Sequence, residues 1–118
     1  MTSIKTLNHK EFRAPIGTPV FVNVYFVIKT LPARFAGVPR FGVVSSKKVF
    51  RYAYQRNRAR RLLREWIVFN AEHFVPEFDY IVIARAQILE CDREMGRKLM
   101  RAAIVKVEKN QPDATTTE

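Results

Sequence analysis

The sequence predicts a single α+β domain, a β-sheet packed on helices. Three observations carry that prediction. Residues 19–31 form a run rich in Val, Phe and Tyr, and residues 80–84 form a second short run of strand-forming residues. Two other segments, beginning near residues 53 and 92, repeat apolar residues at helical spacing. The chain has 118 residues, of which 47% are hydrophobic, enough for one core and not two.

The elements follow in order. Residues 5–13 predict a short helix with Leu7 and Phe12 as apolar anchors, ended by Pro15 and Gly17. Residues 19–31 are long for one strand and predict either two pieces or one twisted strand with a bulge. Alternation puts Val20, Val22, Val24, Phe26 and Ile28 on the core side, with Phe21, Asn23, Tyr25, Val27 and Lys29 on the other. That second face mixes aromatic, amide and cation, whereas a sheet covered on both sides is apolar on both. One face is therefore expected to pack on helices and the other to stay partly open. A loop over 31–39 leads to a strand over 40–45, a basic connector over 46–50 and a helix from 53 to about 71. Pro76 breaks the chain before the strand over 80–84. Asp92 is placed to cap a last helix running to about Lys109, with Met95, Leu99, Ala102, Ala103 and Val107 as its core stripe. The domain spans 1–109, and the polar tail 110–118 is expected to be disordered.

Charge narrows the function. The net charge is +10, and its excess is confined to one stretch. Residues 12–64 hold twelve Lys and Arg and no Asp or Glu, while the rest has nine basic and eleven acidic residues. Such a field draws polyanions. No apolar run is long enough for a membrane span, and the first ten residues lack a signal-peptide core. Cys91 is the single cysteine, so no internal disulfide forms and a cytoplasmic location is the simplest expectation.

On a helical wheel, Ala59, Leu62, Leu63, Trp66, Ile67 and Asn70 fall within roughly 140° of one another, a mostly apolar anchor face. Asn57, Arg60, Arg61 and Arg64 fall on the opposite side, with Arg56 at the edge of the apolar stripe and Arg58 on the other flank. Arg60 and Arg64 repel at i, i+4, and Glu65, four residues from Arg61, is the only acid nearby. A cationic face with so little compensation points to an anionic ligand. Arginine suits phosphate and bases because its planar fork makes paired hydrogen bonds and stacks. Lys47, Lys48 and Arg51 extend the basic surface.

These residues resemble the bacterial ribonuclease P protein family. Phe50, Ala53, the run Arg56-Asn57-Arg58-Ala59-Arg60-Arg61, Leu63 and Arg64 match its signature. The strand and double lysine from Arg40 to Lys48, and the strand from Asp79 to Arg85, resemble its flanking blocks. The likeness runs from about residue 7 to 107. It implies an αβββαβα sandwich, a mixed sheet with three helices, a left-handed βαβ crossover and one sheet face forming a cleft. It also implies a non-catalytic subunit that binds a catalytic RNA and the 5′ leader of precursor tRNA. The RNA, with Mg²⁺ bound mainly to it, hydrolyses the phosphodiester. The RNA-binding set would be Arg56, Asn57, Arg58, Arg60, Arg61, Arg64, Lys47, Lys48 and Arg51. The leader cleft would be lined by Phe12, Ile16, Phe21, Asn23, Tyr25 and Lys29. Ile16 stands where the family continues its first helix with a second aromatic. From the residues themselves, Phe21 suits either edge packing or base stacking, and Tyr25 and Lys29 suit a base and a phosphate.

Other chemistry finds less support. His9 and His73 lie far apart with no Cys or Asp cluster, so no zinc site is predicted. No pair of acid–base groups is nominated for a protein nuclease acting alone. Glu72, Glu77 and Asp79 read as a solvated helix end and turn, Trp66 and Phe69 as core, and Cys91 as passive. A general RNA-binding or ribosome-associated module is the alternative function.

Overall fold

The computed structural model describes residues 5–6, 21–32, 39–75 and 78–109. Its strands are β1 (Lys5–Thr6), β2 (Phe21–Val22), β3 (Phe26–Pro32), β4 (Arg40–Val44) and β5 (Phe78–Ala84). Its helices are α1 (Ala53–Phe69) and α2 (Arg93–Lys109), with 3-10 turns at Ala71–His73 and Ala86–Glu90. The sheet order is β1-β4-β5-β3-β2. It is mixed: β4 is parallel to β1 and β5, while β3 is antiparallel to β5 and β2. Neighbouring parallel strands need a crossover, and α1 supplies it between β4 and β5.

The expected first helix is corrected at its start. Lys5 and Thr6 pair with Arg40 and Phe41 as a strand. Residues 7–13, and with them Phe12, lie outside the described residues, as do Ile16, Glu77 and the tail 110–118.

Residues 19–31 resolve, over the part described, into two strands joined by a turn. The Asn23 side chain builds that turn: its Oδ1 accepts from the backbone N–H of Tyr25 at 2.7 Å and of Phe26 at 2.8 Å. The Asn23 N–H donates to Phe26 O at 3.0 Å. Asn favours this role because its short amide hydrogen-bonds backbone two residues on. The reversal resets the in–out alternation. Phe26 and Ile28 are buried as expected, but Val22 and Val24 are exposed. Phe21 pairs directly with Ile28, so it lies on the helix-covered face and not the open one; its ring is 6.2 Å from that of Phe26.

The core lies between the sheet and the two helices. Phe26, Ile28, Phe41, Val43, Tyr80, Val82 and Ala84 meet Ala59, Leu63, Trp66 and Ile67 of α1 and Met100, Ala103, Ile104 and Val107 of α2. Phe74 closes one end, edge-on to Tyr80 at 4.8 Å. Asp92 caps α2 as predicted, its Oδ1 accepting from the Met95 N–H at 2.7 Å. The stripe on α2 is rotated from the expected one. Met95 and Ala102 are exposed, while Gly96, Met100 and Ile104 turn inward. The rotation follows from a close helix–helix contact. Gly96 faces the fully buried Trp66, and a Cβ there would overlap Cε2, Cζ2 and Cδ2 of the indole. Beside it, Asn70 Nδ2 donates to Trp66 O at 2.9 Å and Arg97 O at 3.1 Å, tying the end of α1 to the backbone of α2.

Gly96→Ala should therefore overpack this contact and destabilise the domain by about 1–3 kcal/mol. Met95→Ala, one residue away but exposed, should change stability by about 0.5 kcal/mol or less. Urea midpoints at unchanged slope read the difference.

Candidate nucleic-acid interface

The anchor face of α1 is as the wheel predicts. Ala59, Leu63, Trp66, Ile67 and Asn70 are buried, and Leu62 is half-buried. Burying these side chains fixes the rotation of the helix and so the direction of its arginines.

The arginines then divide into two groups. Arg56 and Arg60 are half-buried and fasten the basic connector to the helix. Arg56 Nη1 donates to Phe50 O at 2.9 Å and to Arg51 O at 3.4 Å. Arg60 Nη1 donates to Ser45 Oγ at 2.9 Å, and its Nη2 donates to Asn57 Oδ1. Ser45 Oγ in turn donates to Arg56 O at 3.1 Å. Ser45 is a hub that sequence reasoning missed; at the end of a strand a serine gives no distinguishing signal. Arg58, Arg61 and Arg64 are exposed and carry no hydrogen bond or ion pair among the described residues. They are the groups available to a ligand.

The connector displays more cations. Phe50 is buried, and its N–H donates to Ser46 O at 2.9 Å, closing a turn over residues 47–49. Lys47, Lys48 and Arg51 are thereby held outward.

A groove of about 600 Å³ runs beside these residues, lined by Arg58, Arg61, Arg64 and Leu62 of α1 with Cys91, Asp92 and Arg93. Arg93 joins the site only through the packing of α2 on α1, so no local pattern marked it. Glu65 also lines the groove but does not offset Arg61. Its carboxylate accepts from Arg97 Nε at 2.8 Å and from Nη2, across to α2. The Arg97 guanidinium also lies 4.0 Å from the ring centroid of Phe69. Phe69, the last residue of α1, is exposed and not core. Burial, and then the neighbouring Asp92 charge, pushes the Cys91 thiol up, so it stays protonated at neutral pH.

Of the six residues expected to line a leader cleft, Phe12 and Ile16 lie outside the described residues, and the other four do not share one face of the sheet. Phe21 lies on the helix side, beside Lys98, Arg101 and Val105 of α2. Asn23 spends its Oδ1 on the turn. Tyr25 is half-buried against the edge of the core, and its carbonyl accepts from the Arg85 N–H at 2.9 Å. Lys29, opposite Ile81, stands on the face away from the helices with Val27, Val44 and Ile83. The same face is closed further along by Arg40 and Asp79. Arg40 Nη2 donates to Asp79 Oδ2 at 3.0 Å and Nε to Oδ1 at 3.3 Å. Asp79 is thus a buried, paired carboxylate and not a solvated turn residue. Among the described residues, no group of three or more His, Cys, Asp or Glu could hold a metal ion, and no helix is long and apolar enough to cross a membrane.

The family model for ribonuclease P matches residues 7–108. The ribonuclease P protein component of Lactobacillus delbrueckii is 34% identical over 82 residues, 70% of this chain and 68% of that one. That of Proteus mirabilis is 38% identical over 56 residues, 48% of this chain, so that the match spans about half the length of that relative, 46%. The Staphylococcus aureus RNase P protein structure is similar in fold, with a TM-score of 0.67 at 24% identity over 92% of this chain and 98% of that one.

The division of the arginines makes a prediction about polyanion binding. With a structured RNA as the polyanion, Arg61→Ala and Arg64→Ala should each lower the slope of log affinity against log salt by about one. An unchanged slope would mark these side chains as idle.

Proposed function

The chain belongs to the ribonuclease P protein family, and on that premise we propose that it serves as the non-catalytic protein subunit of a ribonuclease P holoenzyme. In this reading it binds the catalytic RNA and the 5′ leader of precursor tRNA and promotes endonucleolytic removal of the leader. The observation that carries the reading is the set of three exposed guanidiniums, Arg58, Arg61 and Arg64, without a partner among the described residues, on a helix whose other face is buried.

The chemistry follows from electrostatics. Two RNAs repel, and a rigid row of cations between them lowers that repulsion while fixing their relative placement. Lys47, Lys48, Arg51 and Asn57 widen the contact with the catalytic RNA. Arg56 and Arg60 act mainly by holding the connector against the helix. The leader would lie on the sheet face that carries Lys29, whose ammonium meets a phosphate. Mg²⁺ would be held mainly by the RNA. The water, the scissile phosphate and the metal would then all belong to the RNA side of the complex. On this reading the chain would act in the cytoplasm.

A reconstitution tests this. Protein, ribonuclease P RNA and the two together are assayed on precursor tRNA at low Mg²⁺. The mixture should cleave faster than RNA alone, and the protein alone should not cleave. No gain from the mixture would overturn the subunit assignment. Equal binding to unrelated structured RNA would favour a general RNA-binding module.

A further inference from the structure

At the start of α1 two tyrosines stand in solvent. Tyr52 is 50% exposed and Tyr54 is 68% exposed. Their rings stack on each other, with centroids 5.8 Å apart and planes at 17°. The Arg51 guanidinium lies 5.5 Å from the Tyr52 centroid. The three side chains form a short aromatic and cationic stack on the surface.

Neither ring serves the fold. Both lie outside the core, whereas Phe50, two residues before Tyr52, anchors the connector from a buried position. The backbone under the rings is nevertheless held. Tyr52 O accepts from the N–H of Gln55 at 3.1 Å and of Arg56 at 3.2 Å. The Tyr52 N–H donates to Gln55 Oε1 at 3.3 Å. The stack is therefore presented from a fixed base, so little ordering remains to be done on binding.

The surroundings define the ligand. Tyr54, Arg58 and Arg61 follow one another at i, i+4 and i+7, so they share a face of α1 over about 10 Å of helix axis. Lys47, Lys48 and Arg51 flank the rings on the connector side. An exposed aromatic pair beside these cations suits a ligand that is both anionic and flat. An apolar protein surface would have to desolvate the cations; a nucleic-acid strand satisfies both features, its phosphates on the guanidiniums and its base on the ring.

We propose that Tyr52 and Tyr54 form a stacking platform for an unpaired nucleobase, at the end of the phosphate-binding row made by Arg58 and Arg61. The proposal rests on the reading that the arginine face of α1 binds RNA, and it adds to that face a contact with a base. Stacking on a ring is tolerant of sequence, so the platform selects unpaired over paired bases without selecting one base.

The test uses the full chain and two probes, a short oligoadenylate and an abasic oligonucleotide of the same length and charge. The protein should bind oligoadenylate about 5- to 150-fold more tightly than the abasic strand. Tyr54→Leu keeps apolar bulk and helix propensity at an exposed site, so its thermal midpoint should match that of the parent. It should lose most of the preference by weakening oligoadenylate binding alone, and Tyr54→Phe should retain it. Arg61→Ala should weaken both strands equally and leave the preference intact. If the parent shows no preference, or Tyr54→Leu keeps all of it, the platform is wrong. If that happens while Arg61→Ala still weakens both strands, the RNA-binding reading of the helix stands without it. If Arg61→Ala changes neither strand, that reading fails instead.

Discussion

The placement of every cation on α1 depends on one contact, the indole of Trp66 against Gly96. The absent Cβ lets α2 approach until its backbone meets the ring. Asn70 then bonds across the same seam to the Arg97 carbonyl, and Glu65 meets the Arg97 side chain beside it. Together these contacts set the rotation of α1. A helix turned by one residue, about 100°, would bury a guanidinium and expose Trp66. Burying an unpaired cation is far costlier than burying an apolar side chain, so the buried face and the cationic face specify each other.

A basic surface of this kind works against folding through like-charge repulsion, and the molecule meets that repulsion unevenly. Arg56 and Arg60 are absorbed into hydrogen bonds with Ser45, Asn57 and the carbonyls of the connector. Arg40 is absorbed by Asp79 on the sheet, and Arg97 by Glu65. On α1 and the connector, Arg58, Arg61, Arg64, Lys47, Lys48 and Arg51 remain exposed. The proposed phosphate contacts use this remainder, and the proposed base platform stands at its edge.

Much of the helix was legible in the sequence, because a wheel needs only the 3.6-residue period. Leu63, Trp66 and Ile67 could be assigned to the core without knowing what they touch. The roles of Arg56 and Arg60 were not legible, since their partners lie in a connector whose path depends on Phe50 being buried. Phe21 was misplaced for a related reason. Its face was inferred by counting twos along residues 19–31, and the Asn23 turn breaks that count. Asp79 looked solvated because its partner, Arg40, is distant in sequence and reaches it only through the parallel pairing of β4 with β5. The stripe on α2 shifted because a glycine carries no hydrophobic signal, although Gly96 is where the helices meet. Periodicity reports which residues share a face; it does not report the contacts that choose between neighbouring faces.

On the proposed reading, a buried anchor presents Arg58, Arg61 and Arg64 together to RNA. Arginine-selective chemical modification, mapped by mass spectrometry on the protein free and in complex with ribonuclease P RNA, tests it most directly. All three should react readily in the free protein and be protected together in the complex. Arg56 and Arg60, already hydrogen-bonded, should react slowly in both states. If the three react in the complex as fast as in the free protein, the helix is not the RNA-binding face.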